Sequence, residues 1–222
     1  EPPTLLTTWN PPYYQKLLEA AGLVKAEDLL AREVVLSDID PQYLSRIARI
    51  GSRNKKIAIR KANLENIENE IDILVKVYGE AWNENWGAVP INRNEFTKLV
   101  LELKPFLLPD CTLIAEFEGT PVGVFIVIPD INIAIKACNG NLGPLGLIRF
   151  MFAKRRVDLM RGVVAGVLKP YRNKGIESAF YSSVLNTLIG SQYKRIEFSW
   201  MLESNFRVHR VLDSIKAQTT KR

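Results

Sequence analysis

Residues 161–181 read Arg161-Gly-Val-Val-Ala-Gly-Val-Leu-Lys-Pro-Tyr-Arg-Asn-Lys-Gly-Ile-Glu-Ser-Ala-Phe-Tyr181. Val163, Val164, Ala165, Val167 and Leu168 make a short β-branched and apolar run. Pro170 lies in a basic loop, and Ile176, Ala179, Phe180 and Val184 then recur at helical spacing. The stretch predicts a strand, a tight loop and a helix. A helix N-terminus leaves backbone N–H groups unpaired and carries partial positive charge. Asn173, Lys174, Gly175 and Ile176 are therefore candidates to surround a phosphate or pyrophosphate, with Gly175 allowing close approach of the main chain. Lys169, Arg172 and Lys174 add cationic donors at the same point. The competing reading is an exposed turn whose glycine and lysine serve only solvation. Neither Gly-x-Gly-x-x-Gly nor Gly-x-x-x-x-Gly-Lys-Ser/Thr is present.

The run from Val167 to Ile176 resembles the acyl-CoA loop of the GNAT superfamily of N-acyltransferases, where Arg/Gln-x-x-Gly-x-Gly/Ala follows a strand ending in valine. Arg172, Gly175 and Ile176 match, whereas Glu177 stands where the family prefers Gly or Ala. The resemblance implies an α/β (α+β) fold with a GNAT-like mixed, mostly antiparallel sheet flanked by helices. It implies acetyl-CoA or another acyl-CoA as co-substrate, no metal, and a small-molecule or peptide amine as acceptor. The pantetheine arm would pair with backbone at Gly166, Val167 and Leu168, the pyrophosphate would sit on Asn173 to Ile176, and Asn205 would meet the pantetheine arm. Gly166 has a simpler alternative as a strand bulge, and Asn205 as a helix cap.

Composition suits a globular chain: 222 residues, 47% hydrophobic, net charge +6 and pI near 9.3. The positive charge suits an anionic ligand, but no basic stripe with interleaved aromatics appears, so no nucleic-acid partner is expected. Cys111 and Cys138 lie far apart without metal spacing, as reduced thiols of a cytoplasmic protein would. Leu142 to Ala153, the longest apolar run, is interrupted by Gly143, Pro144, Gly146 and Arg149 and falls short of the roughly 20 residues that span a bilayer. No membrane partner is expected.

Thr4 to Thr8 reads as a strand, and Asn10-Pro-Pro as the cap of a helix carrying Tyr13, Leu17, Leu18 and Ala21 and stopped by Gly22. Phe198 to Met201, Asn205, Leu212 and Ala217 repeat that layout, which is either the chance recurrence of a common strand–Asn–helix unit or the mark of residues 1–51 as the tail of a preceding related unit plus a linker helix. Leu29 to Leu36 is a further candidate strand, Asp40-Pro41 opens a helix ending near Gly51, and Ser52 to Lys56 is a basic linker. From residue 57 the predicted order is strand, two helices, a hairpin over 113–128, a helical insertion at about 130–157, the central strand, a helix, a strand at 195–201 and a last helix opened by Asn205. This order is similar to the GNAT fold over residues 57–217, so 57–222 is assigned as the acyltransferase domain. The family's last two strands have almost no chain left to form them.

Two departures weigh on catalysis. Glu177 puts negative charge in the first turn beside the expected phosphate. Midway along the last helix, where many family members carry a tyrosine as general acid, this chain has Val208-His-Arg-Val-Leu212. His209, the sole histidine, carries the side chain most used for proton transfer, but a lone histidine on an amphipathic helix is more often a surface or packing residue. Glu197, Ser199 and Glu116 are weaker candidates, and no general base is assigned. Trp82, Trp86 and the loop from Gly87 to Asn92 fall where the family borders its acceptor site. The leading reading is an acyl-CoA-dependent N-acyltransferase, with acetyl the first acyl group to test. The alternative is a catalytically inactive GNAT-fold binding or interface module.

Overall fold

A computed structural model describes residues 4–83, 86–88, 92–141 and 143–222. Its elements in chain order are α1 (Tyr14–Ala20), β1 (Leu29–Val35), α2 (Pro41–Ser52), β2 (Ile57–Lys61), α3 (Ile67–Trp82), α4 (Arg93–Leu103), β3 (Thr112–Phe117) and β4 (Thr120–Pro129). There follow α5 (Asn132–Ala137), α6 (Pro144–Lys154), β5 (Leu159–Val167), α7 (Ile176–Leu188), β6 (Arg195–Leu202), α8 (Phe206–Ser214) and β7 (Gln218–Lys221). Seven strands form one sheet in the order β2-β3-β4-β5-β6-β1-β7. Among the described residues only β5 and β6 run parallel.

β3 and β4 turn through Glu118 and Gly119, whose φ values of 50° and 81° give the two left-handed residues that a tight hairpin needs. β4 is buried from Val122 to Pro129, as befits a strand covered on both faces. Two layers cover it. A Cβ on Gly123 would lie 3.3 Å from both Phe180 of α7 and Val167, whereas one on Gly166 would meet Trp82 of α3, so the two helices lie on opposite faces. Phe125 packs against Phe180 and Tyr181 at ring separations of 5.6 and 5.4 Å, joining the central strand to α7.

The strand next to β6 comes from the front of the chain. β1 pairs antiparallel with β6 from Leu29↔Leu202 to Val35↔Arg195, and β7 pairs on its outer edge. β1 thereby lies between β6 and β7 in the sheet. α2, capped by Asp40 accepting from the Gln42 N–H, packs on α7. Gly51 is where they touch: a Cβ there would stand 2.6 Å from the Ala179 Cα. Gly51→Val is expected to cost about 1–3 kcal/mol of stability by forcing the helices apart, visible as a lower urea midpoint.

Residues 4–8 do not form the expected strand. They form a local turn, the Thr7 N–H donating to the Thr4 carbonyl at 3.0 Å, and bond to distant side chains: Thr4 Oγ1 donates to Glu197 at 2.7 Å, the Leu5 N–H donates to Asp130 at 2.8 Å, and Arg161 donates to the Leu5 carbonyl. Asn10 does not cap α1, whose N-cap is Tyr13, and Tyr13, Leu17 and Leu18 are exposed rather than packed. Cys111 and Cys138 are both buried and free, and burial, with Asp110 nearby, pushes the Cys111 thiol up to about 11.

Candidate functional site

β5 and β6 separate partway along their length. They pair from Leu159↔Arg195 to Gly162↔Phe198, after which β5 runs on to Val167 and β6 to Leu202 without contact in the register. The parting coincides with a bulge. β5 pairs Val164 with Ile126 and Gly162 with Val127 of β4, leaving Val163 as the extra residue. The bulge therefore lies at Val163, and Gly166 is not it. Gly166 has no side chain for a different reason: any Cβ would overlap the indole of Trp82, which stacks on Tyr78 at 4.5 Å. Ala165 is exposed in the middle of a central strand, the mark of a groove where a neighbour would otherwise lie.

The groove has one free rim. The Leu168 N–H donates to Val122 on β4 at 2.9 Å, so alternation turns the Val167 backbone toward β6. Arg172 claims the Val167 carbonyl through Nε at 2.9 Å and the Ala81 carbonyl through an Nη at 3.0 Å. It ties the end of β5 to the end of α3 rather than projecting into solvent. Of Gly166, Val167 and Leu168, only the Val167 N–H is thus left facing the groove. Arg172→Met should strand two carbonyls, lowering stability by about 1–3 kcal/mol. Denaturant titration checks this.

Beyond β5 the loop turns sharply. Asn173 and Gly175 have φ of 63° and 98°, and Gly175 is the N-cap of α7. No side chain caps α7, and among the described residues no backbone acceptor takes the N–H groups of Asn173 to Ile176. Asn173, Lys174 and Gly175 border a cleft of about 580 Å³ whose other wall is Ile50, Arg53, Asn54, Lys55 and Lys56, with Ile176 fully buried behind them. Those wall residues follow from α2 ending against α7. The basic run Ser52–Lys56 reads locally as a charged linker; its position beside Gly175 depends on the contact of Gly51 with Ala179, more than a hundred residues away in sequence. Lys174 Nζ is held 4.9 Å from the Phe117 ring and 5.2 Å from Tyr171. Arg207 donates to Asn173. Glu177 is half-buried in the first turn of α7.

The other candidates are occupied. Asn205 caps α8, its Oδ1 accepting from the Val208 N–H at 3.5 Å. A ring nitrogen of His209 lies 2.9 Å from the Leu202 carbonyl. Glu116 is paired with Arg60 at 2.6 Å. Glu197, with no exposed surface, accepts from Thr4, Ser199 and Lys221, and Ser199 also accepts from Arg161 Nε at 3.0 Å. Burial pushes the Glu197 carboxyl up, yet the hydrogen bonds from Lys221, Thr4 and Ser199 outweigh it and hold it below the usual range. Trp86 is exposed; Val89, Pro90 and Ile91 of the expected acceptor loop, and Leu142 of the insertion, lie outside the described residues.

A mixed sheet whose central parallel pair parts at a bulge, with an uncapped helix at the end of the first strand, is the architecture of the GCN5-related N-acetyltransferases, and this chain has that fold. A GCN5-related N-acetyltransferase from Sphaerobacter thermophilus superposes with a TM-score of 0.60 at 14% identity, over 93% of this chain and 52% of that one. In sequence, the chain is 28% identical to Protein YghO of Escherichia coli, over 100% of its own length and 58% of that protein. It is 24% identical to a protein named bacterial ceramide synthase in Caulobacter vibrioides, over 96% of its length and 57% of that protein. The chain thus spans a little under three-fifths of these relatives. No protein-family model matches it.

Proposed function

We propose that the chain binds an acyl-CoA and transfers its acyl group to an amine. The observation that carries this reading is the cleft at the α7 N-terminus, which Asn173, Lys174 and Gly175 line together with Arg53, Lys55 and Lys56, Lys56 being ion-paired with Glu118. A diphosphate on Asn173 to Ile176 would place the pantetheine arm along the groove between β5 and β6, where the Val167 N–H is the donor to its amide. Gly166 and Leu168 act through the Trp82 seat and the β4 ladder, and Arg172 acts by bracing the loop. Asn205, the α8 cap, is the residue that the family resemblance would place beside the pantetheine arm. The amine attacks the thioester carbonyl, the carbon–sulfur bond breaks, and the amine proton leaves through water. The name of the Caulobacter relative points to a long-chain amine as acceptor, a ceramide being an N-acylated long-chain base.

The second reading, an inactive binding module, draws on one observation: His209, Glu116, Glu197 and Ser199 are all engaged by other groups. Calorimetry with acetyl-CoA and a long-chain acyl-CoA, followed by thiol release in the presence of a long-chain amine, separates the two. Binding with thiol release that depends on the amine supports transfer. Binding without release supports the module, and no binding by the folded chain contradicts both.

A further inference from the structure

The segment between β4 and β5 carries a face that no described residue covers. α6 is apolar on both sides. Its inner side is buried: a Cβ on Gly146 would overlap the Asn141 carbonyl, and the Phe150 ring meets Phe106 at 6.4 Å. Its outer side presents Leu145, Leu147, Ile148, Met151 and Phe152, which are 71, 58, 52, 56 and 64% exposed. At helical spacing these five fall within an arc of about 160°. A helix with two apolar sides, parted only by Arg149 and Lys154, buries one of them in this chain and leaves the other facing water.

Charge narrows the partner. Residues 131–157 hold Lys136, Arg149, Lys154, Arg155 and Arg156 and not one Asp or Glu, so they supply +5 of the chain's net +6. Lys154 lies 5.5 Å from the Phe106 ring, and the Arg155 guanidinium lies 5.9 Å from the Phe152 ring at the margin of the apolar face. We propose that α5 and α6 form a docking element for an anionic lipid surface. α6 lies in the plane of the interface, with its five large side chains at the headgroup–acyl boundary and its cations on the phosphates. A second copy of the chain is the poorer occupant, because joining two such faces would bring together two segments of +5 with no acid between them. An element about 16 Å long has no need to span a bilayer, which is why counting spanning segments in the sequence missed it. Among the described residues no helix is long and apolar enough to cross a membrane.

The inference stands apart from acyl transfer, because none of these side chains lines the cleft. Co-sedimentation of the full chain with phosphatidylcholine vesicles, with and without phosphatidylglycerol, tests it. The chain should pellet with the anionic vesicles only, and less as salt rises. Arg155→Gln with Arg156→Gln should lower partitioning about thirtyfold, at about a kilocalorie per cation. Met151→Ser with Phe152→Ser should lower it by roughly tenfold or more. Both variants should keep the parent's unfolding midpoint and its acetyl-CoA affinity. Failure to pellet with anionic vesicles, or double variants that partition like the parent, would overturn the proposal. Light scattering that showed a dimer dissolved by Phe152→Ser, with vesicles still unbound, would assign the face to a second copy instead.

Discussion

Gly175→Val is expected to leave the chain folded and to weaken acetyl-CoA binding by at least about a hundredfold. Two constraints act together. At φ 98° a β-branched residue is strained by about 1–3 kcal/mol, and its Cβ would stand 2.9 Å from the Ile50 carbonyl oxygen. Ile50 has little room to retreat, because Gly51 beside it packs so closely on Ala179 that even a Cβ would not fit there. The loop must move instead, and the N–H groups of Asn173 to Ile176 lose their convergence. Two charge-assisted hydrogen bonds lost at about 1.5–3 kcal/mol each account for the expected effect. Circular dichroism and the thermal midpoint establish folding, and calorimetry reads the affinity. An unchanged affinity would place the ligand elsewhere.

Glu197→Ala should be the most destabilising single change, at about 3–5 kcal/mol, because it leaves cations buried without their counter-charge. Lys221, whose side chain is 12% exposed, loses its carboxylate partner, Thr4 and Ser199 lose an acceptor, and Arg161 loses the nearest negative charge on β6. The pH dependence has a definite sign. Since the folded carboxyl titrates below its usual 4.5, its contribution is complete above that value and is lost as pH falls through the folded value. Glu197→Gln, which keeps the shape and removes the charge, should therefore be less stable than the parent at neutral pH and approach it in acid. Urea midpoints at both pH values check this. An alanine variant as stable as the parent would show that the buried network contributes nothing net.

The decisive stretch was legible because its periodicity switches within a few residues. The β-branched and apolar run of Val163 to Leu168 gives way to helical spacing at Ile176, Ala179 and Phe180, and a glycine stands at the join. The hairpin at Glu118-Gly119 and the Asp40 cap were legible for the same local reason. What was hidden depends on contacts between distant residues. Val163 bulges in a β-branched run that carries no mark of irregularity. Gly51 reads as a helix stop and is a helix-crossing point. Gly166 reads as a bulge and is the seat of an indole from α3. Nothing local says that β1 will lie between β6 and β7, or that Thr4 and Leu5 will satisfy Glu197 and Asp130 instead of forming a strand. Strand alternation marks Glu197 and Arg161 as sharing a face only once their register is known.

The central claim is that the rim of N–H groups at the start of α7 holds the diphosphate of an acyl-CoA. Amide chemical shifts followed while desulfo-CoA is titrated into the isotopically labelled chain test it most directly. The account predicts saturable shifts largest at Asn173, Lys174, Gly175 and Ile176, with smaller ones at Val167, Lys55 and Lys56. A titration that moved no amide in this set, or whose shifts centred on another part of the sheet, would contradict it.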